Sequence, residues 1–143
     1  MYSYNETKSK KCLKVVLSNE DIASHLNIKW EEIKDKNIFE TKDFYLYEIK
    51  NKSKIIGILA IKVYGNYPYV DVGVLPEHRG CQIVSAFNSL LKEFCNKKKY
   101  QFIFAKIKSD NKRSFVFAKW CGFKKLFKND DYYIMRFDYG RSR

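Results

Sequence analysis

The most informative part of this chain is a stretch of fifteen residues, Val72-Gly-Val-Leu-Pro-Glu-His-Arg-Gly-Cys-Gln-Ile-Val-Ser-Ala86. Its first residues are β-formers, and Pro76 predicts the end of a strand. From Gln82 to Asn96, apolar residues recur every three or four positions, which predicts an amphipathic helix. The turn through Arg79 and Gly80 therefore leads into a helix N-terminus, where unpaired N–H groups and the helix dipole favour an anion. Every strand-to-helix connection offers unpaired N–H groups of this kind, so the pattern alone does not distinguish a phosphate-binding turn from an ordinary one.

The segments on either side of this stretch predict a series of strands and helices. A first strand is predicted at Cys12–Leu17, followed by helical segments that begin at Ser18 as N-cap. The other predicted elements are strands at Phe44–Ile49, Lys54–Val63, Tyr69–Val74, Tyr100–Ile107, Phe123–Phe127 and Tyr132–Phe137, and a helix from Asn111 to Trp120 that ends at Gly122. This order predicts an α/β (α+β) fold in which helices flank a mixed, mostly antiparallel central sheet.

The length of 143 residues predicts one domain, 1–143, with a flexible N-terminus at 1–11. No apolar run approaches the roughly 18–20 residues of a membrane span, so we expect no membrane association. The polar start predicts no signal peptide and a cytoplasmic protein. The four cysteines, Cys12, Cys81, Cys95 and Cys121, are not spaced as metal ligands, and we expect reduced thiols and no metal site.

Positive charge is concentrated in one part of the chain. The formal net charge is +12, and the stretch from Lys92 to Lys128 contains 12 Lys and Arg residues against two acidic ones. A local basic field of this kind attracts a polyanion. Nucleic acid and a phosphate-rich cofactor are both candidates, and part of the charge is accounted for by solvated surface lysines.

Two motifs together resemble the GNAT superfamily of acyl-CoA N-acyltransferases. The first is Val74-x-Pro-Glu-x-Arg-Gly80 leading into an amphipathic helix. The second comes 37 residues after Val74, where Asn111 opens a helix and Gly122-Phe123 begins the next strand. The resemblance covers the chain from about Val15 to Phe137. It implies an N-acetyltransferase that uses acetyl-CoA as cosubstrate and a primary amine as acceptor, with direct attack of the amine on the thioester.

The resemblance also implies roles for individual residues. The main chain of Val72 and Val74 would pair with the pantetheine arm, and the Val74 N–H would polarise the thioester carbonyl. Asn111 would contact the same arm, and Asp71 would act as base through a water molecule, with Glu48 as a second candidate. The residues implied to hold the pyrophosphate are Arg79, Gly80, Cys81, Gln82, Ile83, Val84 and Ser85, and those implied to meet the phosphates at the adenine end are Lys112, Arg113 and Lys119.

The chain departs from the family pattern at three positions. Gln82 and Val84 stand where the pattern Arg-x-x-Gly-x-Gly/Ala has small residues, and Ala118 stands where members often have a tyrosine as general acid. We expect the thiolate to be protonated by water or another residue. These departures also favour an alternative, a catalytically weakened protein of this fold that binds nucleic acid or serves as a structural partner. The residues do not identify the acceptor, which is a small molecule or a protein, and allow a monomer or a homodimer.

Overall fold

The computed structural model describes residues 2–40 and 42–140, which form seven strands and five helices. Two short 3-10 turns lie at Ile38–Glu40 and Pro76–His78. In chain order the elements are β1 (Tyr2–Glu6), α1 (Lys11–Leu17), α2 (Glu20–His25), α3 (Trp30–Ile33), β2 (Phe44–Asn51), β3 (Lys54–Tyr64), β4 (Tyr67–Val74), α4 (Cys81–Lys98), β5 (Phe102–Lys108), α5 (Lys112–Cys121), β6 (Lys124–Lys128) and β7 (Tyr132–Asp138). The strands predicted at Phe44–Ile49 and Lys54–Val63 are confirmed to within two residues.

All seven strands belong to one sheet, in the order β1-β2-β3-β4-β5-β7-β6. Five of the neighbouring pairs are antiparallel, and β4 and β5 are parallel. A parallel pair needs a crossover connection, and α4 supplies it. The predicted fold class, a mixed and mostly antiparallel sheet flanked by helices, is confirmed.

Residues Cys12–Leu17, predicted as a strand, form helix α1 instead. Cys12, Leu13, Val16 and Leu17 are all buried, and this spacing of one and four residues places them on one face of a helix. A short apolar run rich in valine is compatible with either element when it is considered in isolation. Burial against β3 and β4 decided for the helix.

The first strand lies earlier in the chain, at Tyr2–Glu6. It pairs antiparallel with β2, from Tyr2 opposite Asn51 to Glu6 opposite Tyr47. The rings of Tyr2 and Tyr4 pack against the main hydrophobic core. The prediction of a flexible N-terminus is therefore wrong for Tyr2–Glu6.

Helix α2 begins one residue later than its predicted cap implies. Asn19, and not Ser18, is the N-cap, and its Oδ1 accepts a hydrogen bond of 3.1 Å from the N–H of Ile22. Glu20 and Asp21 lie in the first turn, where carboxylates interact favourably with the helix dipole.

Each face of the sheet carries its own hydrophobic core. The first core includes the buried face of α4, with Ile83, Phe87 and Phe94. The second core lies under α1 and α2. Gly73 on β4 permits close approach there, because a Cβ at this position would stand 2.9 Å from side-chain atoms of Val16 and Ile22. Helices α1 and α2 can therefore lie directly on the strand that carries the candidate site.

Candidate active site

Strands β4 and β5 separate along their length. Among their described residues, only one pair is in sheet register, with Tyr69 of β4 opposite Phe104 of β5. On the other side of β4, the N–H of Leu75 donates to the carbonyl oxygen of Ile56 on β3 at 2.9 Å. Because N–H groups alternate in direction along a strand, those of residues 72 and 74 are directed away from β3 and into the opening between β4 and β5.

A groove of about 580 Å³ lies at this opening, between α2 and α5. Its apolar part includes Val116 and Trp120 of α5, of which Trp120 is 64% exposed. Seven residues that the sequence predicted for cofactor binding line it together: Val72, Val74, Arg79, Gly80, Asn111, Lys112 and Arg113.

The turn before α4 leaves main-chain donors accessible. Gly80 is the N-cap of α4, and among the described residues no side chain caps this helix end. The first intrahelical bond there runs from the N–H of Val84 to the carbonyl of Gly80 at 3.3 Å. A Cβ added at Gly80 would meet no atom within 4 Å, so the main chain lies open to a ligand at this point. Such a helix N-terminus, in an 18-residue helix, suits a phosphate group.

The residues that follow Gly80 form the first turn of α4 beside the groove and do not line it. Cys81, Gln82 and Ser85 are exposed, and Ile83 is fully buried. Val84 is half-buried and packs against the main core. The side chains that replace the small residues of the family pattern therefore do not narrow the groove.

Two arginines and one aspartate meet at the wall of the groove. The Nε–H of Arg79 donates to the carbonyl of Val74 at 3.1 Å, which ties the turn to the end of β4. The Oδ2 of Asp21 on α2 lies 3.5 Å from a guanidinium nitrogen of Arg79 and 3.1 Å from one of Arg113 on α5. This carboxylate holds both guanidinium groups next to the turn.

Helix α5 places its first residues toward the groove. The buried Asn111 is the N-cap of α5, and its Oδ1 accepts from the N–H of Ser114 at 3.2 Å. Lys112 lines the groove beside it. Lys119 is exposed, lies with its Nζ 5.7 Å from the centre of the Phe115 ring, and does not line the groove.

A second cavity, of about 1010 Å³, lies on the face of the sheet that carries the second core, and Asp71 lines it. The Oδ1 of Asp71 accepts from Asn27 Nδ2 at 2.9 Å, and Oδ2 accepts from the N–H of Ile28 at 3.1 Å. Burial raises the pKa of the Asp71 carboxyl, and these hydrogen bonds together with nearby Lys29 offset part of the rise. Asn27 also donates to the carbonyl of Lys106 at 3.3 Å and so bridges β4 and β5.

A small cavity of about 70 Å³, the junction, lies between the other two. It shares His25, Val72 and Asn111 with the groove and shares Asp71 with the second cavity. Ala118 lines the junction as well. The position at which family members often carry a tyrosine acid therefore lies where the groove meets the second cavity.

His25, to which the sequence assigned no role, lines both the groove and the junction. Its Nδ1 lies 2.8 Å from the carbonyl oxygen of Asp21. A carbonyl only accepts, so Nδ1 carries the hydrogen. No residue in the described part of the chain forms a hydrogen bond with Nε2, which remains available. The spacing of four residues from Asp21 places both side chains on one face of α2, but only the packing of α2 on β4 brings that face to the junction.

The remaining candidate groups lie elsewhere. Glu48 accepts from Asn5 at 3.0 Å and lies 3.4 Å from Lys50 Nζ, outside the three cavities. Across residues 2–40 and 42–140, no three His, Cys, Asp or Glu side chains are grouped so that they could hold a metal ion. Among the helices of these residues, none has the length and apolar character needed to cross a membrane. All four cysteines are free thiols.

The family follows from sequence and fold together. Residues 15–123 match the family model of the acetyltransferase (GNAT) family. The chain belongs to this family. The resemblance stated from the two motifs is confirmed. Members of the GNAT family use acetyl-CoA, and this GNAT protein is an acyltransferase.

Solved structures of N-acetyltransferases share the fold. The ribosomal-protein-S18-alanine N-acetyltransferase of Escherichia coli superposes with a TM-score of 0.72 at 12% identity, over 100% of this chain and 97% of that chain. The PaiA N-acetyltransferase of Thermoplasma acidophilum, in complex with coenzyme A, gives 0.69 at 18% identity over 96% and 99% of the two chains. The GNAT domain of S. lividans PAT gives 0.78 at 10% over 96% and 90%. No curated protein sequence matches the chain significantly.

Proposed function

We propose that this GNAT protein transfers the acetyl group of acetyl-CoA to a primary amine by direct attack. The observation that carries the proposal is the opening between β4 and β5. The junction at this opening connects a groove suited to a phosphate-bearing cofactor with the second cavity. Two substrates that enter from the groove and from the second cavity would meet at the junction, and holding them there is the main catalytic contribution of such a site.

The groove residues fit coenzyme A in three ways. The N–H groups of Val72 and Val74 are directed into the opening, where an extended amide-containing arm can pair with them as a strand would. The uncapped first turn of α4 suits the pyrophosphate, because the N–H groups of Cys81, Gln82 and Ile83 precede the first intrahelical hydrogen bond. Arg113 stands at the groove wall for the remaining phosphate charge.

The reaction forms an N–C bond between the amine and the acetyl carbon and breaks the C–S bond of the thioester. The N–H of Val74 stabilises the negative charge that develops on the thioester oxygen. Asp71, which lines the acceptor side of the junction, takes the proton that the amine loses. The raised pKa of its carboxyl makes it a stronger base than an exposed aspartate.

The leaving thiolate needs a proton on the cofactor side of the junction. Ala118 cannot supply it, and His25 lines the junction from the groove side. Its Nδ1 is held by the Asp21 carbonyl, so a protonated ring would donate from Nε2. Imidazole is the side chain that most often transfers protons in enzymes. We therefore assign the acid role to His25 and the base role to Asp71.

Calorimetry of the purified protein with acetyl-CoA tests the proposal, followed by the same titrations with duplex and single-stranded DNA. We expect acetyl-CoA to bind and DNA to bind feebly at ~0.15 M salt. A tight DNA complex whose affinity falls steeply with salt, without acetyl-CoA binding, would contradict the proposal and favour the nucleic-acid alternative.

A further inference from the structure

The second cavity, which we take as the acceptor cavity, is lined by more positive than negative side chains. Its lining includes two acidic residues, Glu32 and Asp71, and four lysines: Lys29, Lys36, Lys62 and Lys106. Both oxygens of Asp71 already accept hydrogen bonds from the segment that follows α2. Asp71 is the proposed base for the reacting amine, so Glu32 is the one further acidic side chain of the described lining that could pair with additional positive charge.

Two of the lysines flank the strand that carries Asp71. Lys62 on β3 stands opposite Tyr69 of β4, and its Nζ lies 3.1 Å from Asp43 Oδ2. Lys106 on β5 is exposed, and its Nζ lies 4.2 Å from the centre of the Tyr132 ring. An anionic group bound near β4 would meet Lys106 on one side and, in competition with Asp43, Lys62 on the other.

Tyrosines form one wall of the same cavity at the turn between β3 and β4. Tyr64 and Tyr67 are 60% and 54% exposed. The rings of Tyr64 and Tyr69 lie edge to face with centres 5.8 Å apart, and Tyr69 stacks on Phe104 at 5.4 Å. Large aromatic surfaces that remain exposed in a cavity suit a flat or ring-shaped ligand.

We infer that the acceptor is a ring-bearing small amine that carries a phosphate or carboxylate group of its own. This inference rests on the proposed function, since it names the substrate class of the same site. The amine would stand near Asp71 at the junction, the ring against the tyrosine wall, and the anionic group between Lys62 and Lys106. A polyamine would bring further positive charge into a lining that already has four lysines, and like charges in a cavity repel.

Matched amines that differ by one anionic group test this inference. The probes are glucosamine, glucosamine 6-phosphate and muramic acid, which share the amino-sugar ring, together with spermidine. We expect kcat/KM for at least one anionic sugar to exceed that for glucosamine about tenfold or more, as one charge-assisted contact allows. Equal values for the three sugars, or a preference for spermidine, would overturn the inference.

Variants of the two lysines test whether they cause the preference for anionic sugars. Lys62→Gln and Lys106→Gln keep most of the side-chain length and remove the charge. Each should raise KM for the preferred anionic sugar about tenfold and leave KM for acetyl-CoA and glucosamine unchanged. Lys54→Gln, on the same strand as Lys62 but outside the acceptor cavity, is the matched control and should change none of them. Equal effects at Lys54 and Lys62 would show a non-specific charge effect and contradict the inference.

Measurements of binding without turnover test the proposed acetyl-CoA function and the inferred anionic acceptor separately. Calorimetry with each sugar in the presence of coenzyme A reports the acceptor preference even if no product forms. Sugar binding that is anion-dependent and weakened by Lys62→Gln supports the inference even when acetyl-CoA fails to bind, an outcome that would reject only the proposed function. Acetyl-CoA binding with no preference for anionic sugars would reject only the inference.

Discussion

Asp21 on α2 and Arg113 on α5 form an ion pair of 3.1 Å across the mouth of the cofactor groove. The same Oδ2 lies 3.5 Å from a guanidinium nitrogen of Arg79, which lies in the turn before α4. A carboxylate therefore interacts with the two guanidinium groups that phosphate oxygens of a cofactor would also attract. Coenzyme A bound in the groove as proposed would therefore compete with Asp21 for these cations.

Asp21→Asn should therefore strengthen coenzyme A binding. Removing the carboxylate frees both arginines for phosphate, and a half-exposed ion pair contributes about 0–1 kcal/mol, so we expect a gain of about twofold to fivefold in affinity. Calorimetry with coenzyme A measures it. Glu20→Gln, at the neighbouring exposed position on α2, is the control and should have no comparable effect. Weaker binding by Asp21→Asn would indicate that Asp21 orients the arginines for the ligand.

Gly80→Ala should reduce the thermal shift that acetyl-CoA produces. The added Cβ would occupy open space at a residue that lines the groove, where the main chain is proposed to contact the ligand. A ligand that binds only the folded state raises the melting temperature through its affinity. Gly65→Ala is a matched control, because Gly65 also has a positive φ and no atom within 4 Å of an added Cβ, but does not line the groove. If the two variants keep equal responses to acetyl-CoA, the phosphate site lies elsewhere.

Asp71→Asn should change how stability depends on pH. The pKa of Asp71 is raised in the folded protein, so the folded state binds the proton more tightly than the unfolded state. Burying the Asp71 carboxylate destabilises the folded protein only where the carboxyl is ionised. This destabilisation is absent at pH values below the pKa of Asp71 in the unfolded chain and complete at pH values above its pKa in the folded protein. The free energy of unfolding of the variant, relative to the parent, should therefore rise with pH across this window, by about 1.4 kcal/mol for each unit of the shift.

Urea unfolding of both proteins at several pH values measures this difference. The same variant should lose most of its acetyl transfer activity while it still binds acetyl-CoA, since Asp71 lies on the acceptor side of the junction. A difference in stability that does not vary with pH would show that Asp71 titrates alike in both states.

His25→Gln should lower kcat about a hundredfold or more, the usual contribution of general acid–base catalysis. Steady-state acetyl transfer by the parent and the variant, compared at one pH, measures this loss. His78→Gln is the control, because His78 contacts the Tyr2 hydroxyl at 3.3 Å and lines none of the three cavities. A kcat for His25→Gln close to that of the parent would assign the acid to another residue.

The sequence by itself determined the strand–turn–helix around Arg79 and Gly80, because a change of hydrophobic period and a proline mark it locally. It also determined Asn111 as the cap of α5, and the order of elements from Phe44 onward. These features depend on residues that are close together in the chain. A capping residue, a glycine and the apolar period each determine the backbone within a few positions of themselves.

Tertiary structure decided the rest. Residues Cys12–Leu17 form a helix because their apolar side chains are buried against β3 and β4. Residues Tyr2–Glu6 form a strand because they pair with the edge of β2 that β3 does not occupy. The junction between Asp71 and His25 exists because β4 and β5 separate after one pair and α2 packs over Gly73. These residues come from elements 46 positions apart in the chain. No local pattern encodes such a meeting, because it depends on how far two strands stay paired and on which helix covers the gap.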